Sequence, residues 1–163
     1  MHNCCYNRIK TKGGTALITI EALQPEDMQQ MIALYQELIP PHIPFDASLQ
    51  QLLQTYERMR NNSNSFLAVA KEDGTIVGSA LGICCQCLVG TFLVVEDVIV
   101  CESQRGKGIG RQLMKALDAF AQSHGCTYSL LVSSDFRKGA HQFYENIGYN
   151  DGVVGFRKLY HKP

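Results

Sequence analysis

Glu96-Asp97-Val98-Ile99-Val100-Cys101-Glu102-Ser103-Gln104-Arg105-Gly106-Lys107-Gly108-Ile109-Gly110-Arg111 leads from a strongly apolar strand, through a turn rich in glycine and cations, into the start of a helix. The apolar stripe Ile109, Leu113, Ala116, Leu117, Phe120 and Ala121 marks that helix, and Gly125 ends it. Glycines let the backbone turn tightly and bring successive N–H groups toward one point, where the unpaired donors and dipole of a helix start favour an anion. Arg105, Lys107 and Arg111 add positive charge at that point. The spacing Gly106-x-Gly108-x-Gly110 is neither the Gly-x-x-x-x-Gly-Lys-Ser/Thr of a P-loop nor the Gly-x-Gly-x-x-Gly of a dinucleotide fold. It also follows a run of strands instead of opening a βαβ series.

Upstream, Phe66–Ala70, the Glu72-Asp73-Gly74-Thr75 turn and Ile76–Cys87 read as a β-hairpin, and Gly90–Cys101 completes a meander. Before it lie two amphipathic helices. One starts at Pro25-Glu26-Asp27 with Met28, Met31, Ile32, Tyr35 and Leu38 on one face, and is stopped by Pro40-Pro41-His42-Ile43-Pro44. The other is capped by Asp46 or Ser48 and carries Leu49, Leu52, Leu53, Tyr56 and Met59. Thr15–Glu21 alternates as a first strand, and residues 1–14 are expected to be a flexible N-terminal arm. Downstream come a strand at Tyr128–Val132, a helix through Ala140, Phe143, Tyr144 and Ile147 closed by Gly148, and a final strand at Val153–Tyr160. The order is β-α-α-β-β-β-α-β-α-β, an α/β (α+β, mixed-sheet) class with residues 15–163 forming a single domain.

At this point the chain resembles the GNAT-type N-acetyltransferase superfamily over roughly residues 15 to 160. Three ordered motifs carry the likeness: Glu96–Val100, the loop Arg105–Gly110, and the helix Phe143-Tyr144-Glu145-Asn146-Ile147-Gly148-Tyr149. The resemblance implies a GNAT-like acyl-CoA N-acyltransferase fold and acetyl-CoA as co-substrate. It implies that Val98, Ile99 and Val100 pair with pantetheine, while Arg105, Gly106, Lys107, Gly108, Ile109, Gly110 and Arg111 hold the pyrophosphate. It places the Tyr144 hydroxyl near the CoA sulfur, as the donor to the departing thiolate. Arg137-x-x-Ala140-His141-x-Phe143-Tyr144 resembles the branch that includes aminoalkylphosphonate N-acetyltransferases. Many members carry Asn where this chain has Arg137, so a cation stands where a CoA contact is expected; it is assigned to the cofactor set, or to an anionic group on the acceptor.

Acetyl transfer to an amine needs a neutral amine, a stabilised tetrahedral oxyanion and a proton for the thiolate. A lysine-like amine, with a reference pKa of about 10.4, arrives charged and needs a carboxylate to take its proton. Glu96 and Asp97 are the candidates, and strand alternation aims them at opposite faces, with Glu96 favoured as the base and Asp97 as an acceptor-binding group. His141 is assigned to acceptor binding, against the alternative of a hydrogen-bonded structural histidine. The seven cysteines form no CxxC pair and no zinc spacing, so they read as thiols, and no metal is expected.

Composition narrows the partners. With 15 basic and 15 acidic residues among 163, the chain lacks the basic excess that proteins held to nucleic acid by its phosphates usually carry, so nucleic acid is not expected as its main ligand. No apolar run reaches the roughly 18 residues of a membrane span, and the start has no basic-then-apolar leader, so a cytoplasmic location is expected. The expected activity is acetyl-CoA-dependent acetylation of a primary amine on a small molecule bound between the first helical pair and the strand at Glu96, with Pro40–Asp46 and the second helix shaping its pocket; a homodimer paired through edge strands is an assembly that the resemblance alone implies, and no apolar surface segment specifies its interface. The alternatives are a non-catalytic acyl-CoA-binding module and a protein or peptide N-acetyltransferase.

Overall fold

The computed structural model describes the backbone of residues 6–10 and all of residues 17–39, 43 and 45–160. Among the described residues six strands form one sheet in the spatial order of the sequence: β1 (Tyr6–Lys10), β2 (Leu17–Ala22), β3 (Ser65–Glu72), β4 (Thr75–Cys87), β5 (Gly90–Val100) and β6 (Cys126–Leu131). All neighbours are antiparallel except β5 and β6, which are parallel. A parallel pair needs a long crossover, and α3 (Ile109–Ser123) supplies it.

The helices cover both faces of the sheet. On one face α3 buries Ile109, Leu113, Met114, Ala116, Leu117 and Ala121 against Ile18, Ala80, Leu93 and Val95. On the other, α1 (Met28–Leu38) and α2 (Leu49–Arg60) bury Met28, Met31, Leu34 and Tyr56 against Val69, Ile76 and Ile99. The start of α1 is pinned by Lys71, whose Nζ lies 2.7 Å from both Glu21 and the buried Asp27. Of the two expected caps for α2 it is Ser48 that acts: its hydroxyl accepts the Gln51 N–H while the Gln51 side chain accepts the Ser48 N–H. The last helix, α4 (Lys138–Glu145), follows β6.

Two expectations at the chain ends differ from the structure. Tyr6–Lys10 lies within the expected flexible arm yet forms edge strand β1 on β2; the rest of that arm, residues 1–5 and 11–14, lies outside the described residues, as does much of Pro40–Pro44. The expected final strand at Val153–Tyr160 is corrected: among the described residues the segment pairs with no strand, and its large apolar residues stay exposed, Val153 at 82% and Phe156 at 95%. β-Branched and aromatic composition makes a strand only where a partner edge is met.

Close packing of α3 depends on glycines in β4. A Cβ at Gly78 would stand 2.9 Å from the Ile99 carbonyl oxygen and 3.2 Å from Leu113, and one at Gly82 would meet Leu117 and Leu93. Backbone cannot yield as a flexible side chain does. Gly78→Ala is therefore expected to destabilise the fold by about 1–3 kcal/mol, the usual cost of overpacking. Thermal unfolding checks this, and a Tm equal to that of the parent chain would refute it.

Candidate active site

The parallel pairing of β5 with β6 extends from Thr91 opposite Cys126 to Val95 opposite Leu131 and then stops. Beyond Val95, β5 remains paired to β4 alone, through Glu96 opposite Leu81, Ile99 opposite Ser79 and Val100 opposite Gly78. The second edge of Glu96–Val100 thus faces a gap. That gap is a cleft of about 910 Å³, with Val98, Ile99 and Val100 on one wall, the glycine turn and the start of α3 at one end, and α4 with Arg137 and Tyr144 opposite.

The same register shows a bulge. Between the Leu81–Glu96 and Ser79–Ile99 pairs, β4 has one residue, Ala80, and β5 has two, Asp97 and Val98. Asp97 sits at the bulge with φ of 50°, the left-handed region that asparagine and aspartate tolerate better than other side chains. Simple alternation therefore fails at Asp97. The two carboxylates have different neighbours: Asp97 Oδ2 accepts a hydrogen bond from the Tyr35 hydroxyl of α1 at 3.5 Å, and the Asp97 carbonyl accepts one from Ser79 at 3.4 Å. Glu96 instead lies close enough to Tyr144 for its charge to oppose ionisation of that phenol.

At the end of the cleft, Gly106 (φ 79°) and Gly108 (φ 83°) turn the chain into α3, and a Cβ on either would meet nothing within 4 Å. Their conformation, not crowding, requires glycine. The space in front of the α3 N–H groups is left open, which suits an anion with several oxygens. Gly110 plays a different part, since a Cβ there would stand 3.2 Å from the Phe143 ring, so its absence seats α4 against the start of α3.

The cations of the loop divide. Arg105 and Arg111 line the cleft, and Arg105 Nε also donates to the Val100 carbonyl at 3.0 Å, bracing the turn. Lys107 is not among the lining residues; its Nζ donates to Gln104 Oε1, and Gln104 Nε2 donates to Glu72 at 2.7 Å. His141 likewise turns from the cleft and donates Nε2–H to the Ser134 carbonyl at 3.0 Å, holding the loop before α4.

Burial pushes both carboxyls above their ordinary range. For Glu96 the desolvation is reinforced by the charge of Asp97, and for Asp97 it is partly offset by the Tyr35 hydrogen bond. Burial also raises the Tyr144 phenol, with Arg137 pulling it down and Glu96 pushing it up. Tyr144 and Arg137 line the cleft; Glu96 acts on Tyr144 through its charge, but neither Glu96 nor Asp97 is a lining residue of the cleft itself. Tyr35 and Phe45, whose rings meet edge to face at 6.5 Å, stand on the α1 side beside Asp97. Sequence reading missed both: Tyr35 falls on the apolar stripe of its helix and is indistinguishable there from core. Among the described residues no group of three or more His, Cys, Asp or Glu is placed to hold a metal, and no helix is long and apolar enough to cross a membrane. Cys84 is a core residue whose thiol burial pushes up to about 12, which keeps it protonated.

A profile of the acetyltransferase (GNAT) family matches residues 28–149. Over 60 residues, 37% of the chain, the sequence is 40% identical to N-alpha-acetyltransferase 80 of Mus musculus and, over a stretch of equal length, 38% identical to glucosamine 6-phosphate N-acetyltransferase of Candida albicans. Those matches span only 18% and 38% of the two curated relatives. The fold superposes on the crystal structure of glucosamine-6-phosphate N-acetyltransferase from Arabidopsis thaliana with a TM-score of 0.78 and 22% identity, covering 88% of this chain and 99% of that one.

Proposed function

Since this chain belongs to the acetyltransferase (GNAT) family, we propose that it transfers an acetyl group directly from acetyl-CoA to a primary amine of a small molecule. The observation that carries this reading is the cleft itself. The one-sided stretch Glu96–Val100 leads to the open, glycine-turned start of α3, and Tyr144 lies along the same cleft. An extended chain bearing amides fits the free strand edge, and a pyrophosphate fits the helix start with Arg105 and Arg111 beside it.

In the reaction, Glu96 takes the amine proton, directly or through water, while Asp97 with Tyr35 seats the ammonium group as it arrives. The neutral amine attacks the thioester carbonyl, a C–N bond forms, the C–S bond breaks, and Tyr144 donates its proton to the sulfur. Proximity in the cleft contributes much of the acceleration, and each proton-transfer group typically about 10²–10⁴-fold.

Calorimetry and thermal unfolding with CoA and acetyl-CoA test the first half of this reading, since a ligand that binds only the folded chain raises Tm. Thiol release from acetyl-CoA with a panel of small amines tests the second. A rise in Tm without thiol release for any amine would leave an acyl-CoA-binding module. Absence of any heat or shift would remove the proposal altogether. The similarity to the murine N-alpha-acetyltransferase favours a second acceptor class, a peptide amine; release with peptides and not with small amines would establish it. We also place the chain in the cytoplasm.

A further inference from the structure

The end of α1, Glu37 to Ile39, lines the cleft and is tied to the chain on two sides. On one side, Glu37 Oε2 accepts the Glu102 N–H at 3.1 Å, just ahead of the glycine turn, with the Cys101 thiol 3.5 Å from Oε1. On the other, Arg137 Nη2 donates to the Leu38 carbonyl at 2.8 Å, a contact between residues 99 apart in sequence. The last four carbonyls of a helix have no intrahelical partner and form its negative end, so a guanidinium there is favoured twice over.

Arg137 is also fixed from behind. Its own carbonyl accepts the N–H groups of Ala140 and His141, opening α4, and its guanidinium stands 5.6 Å from the centre of the Phe136 ring. One residue thus joins the start of α4, which carries Tyr144, to the end of α1, which carries Tyr35 one turn earlier. Tyr35 in turn contacts Asp97. A shift in the last turn of α1 would move the Tyr35 hydroxyl relative to Asp97 and alter the distance between the acceptor side and Tyr144.

We propose that Arg137 is a positioning residue: by latching the Leu38 carbonyl to the start of α4 it sets the acceptor wall against the cofactor wall, instead of holding CoA itself. This rests on the acetyl-transfer reading above for its kinetic consequence, while its structural consequence stands apart from it. The latch is a charge-assisted hydrogen bond, partly shielded from water, so its loss carries an effect of about tenfold.

The test uses the full chain with Arg137→Ala and Arg137→Lys, and three readouts. Hydrogen exchange in Arg137→Ala is expected to speed up at the Gln36–Ile39 amides while α2 is unchanged. The acceptor KM is expected to rise about tenfold, with kcat changing less than KM and the acetyl-CoA dissociation constant staying within about twofold. Arg137→Lys keeps a charged donor and should recover part of the acceptor KM and of the exchange protection. An acetyl-CoA constant weakened about tenfold, with exchange and acceptor KM unmoved, would assign Arg137 to the cofactor and overturn the proposal; so would no change in any readout. If the alanine chain fails to fold, the lysine variant decides by the same comparisons. If the parent chain releases no thiol, the acetyl-transfer reading fails, yet exchange at the last turn of α1 still decides the latch.

Discussion

Tyr144→Phe is expected to lower kcat about a hundredfold while leaving acetyl-CoA binding and Tm nearly unchanged, the lower end of the range for loss of a positioned acid. The ring itself would stay, keeping its contacts with Phe143 at 5.3 Å and Tyr149 at 6.0 Å between centroids. Only the proton donor would be removed. Burial raises the phenol above its ordinary value near 10, so Tyr144 remains protonated through neutral pH and is available to donate. The same burial, reinforced by the charge of Glu96, opposes the phenolate, which favours the form able to donate. Single-turnover measurements of thiol release separate the chemical step from product release. An unchanged rate over the whole pH range would exclude Tyr144 as the acid and leave it as a packing residue.

The parts of this fold that sequence alone conveys are those decided locally. The α3 stripe, the glycine turn with two left-handed residues, and the Ser48–Gln51 capping box each lie within a few consecutive positions. The ends of the sheet are decided elsewhere. Val153–Tyr160 has the composition of a strand but pairs with no edge among the described residues, whereas polar Tyr6–Lys10 joins the sheet because β2 offers one. Glu96, Asp97 and Tyr144 stand out as candidates in the sequence because they flank motifs with a chemical reason. The bulge at Asp97 is not legible there, since only the β4–β5 register reveals it. Lys107 and Arg105 are alike in sequence, and the turn of the loop separates a residue bound to Gln104 from one lining the cleft. The Arg137–Leu38 contact joins segments with no shared pattern at all.

The pH dependence of the reaction distinguishes the two carboxylates. A base must be ionised to accept the amine proton, and Glu96 has its pKa raised, first by burial and then by the charge of Asp97. The protonated, inactive form therefore persists to higher pH than for an ordinary glutamate near 4.3, and kcat falls as pH drops through that raised value. A base raised toward neutrality is also a better match for a lysine-like amine than an exposed carboxylate would be. Asp97→Asn removes the neighbouring negative charge, so the acid limb is expected to move to lower pH. Asparagine accepts a φ of 50° about as well as aspartate, so the bulge should survive the change. Glu96→Gln is expected to lower kcat about a hundredfold and to abolish the limb. If Glu96→Gln instead keeps the limb and Asp97→Asn abolishes it, the base is Asp97, and the Tyr35 hydroxyl becomes the group that orients the base instead of the group that helps to seat the acceptor. The different surroundings of the two carboxylates make that comparison informative: Asp97 is held to α1 through Tyr35, while the charge of Glu96 acts on the Tyr144 phenol.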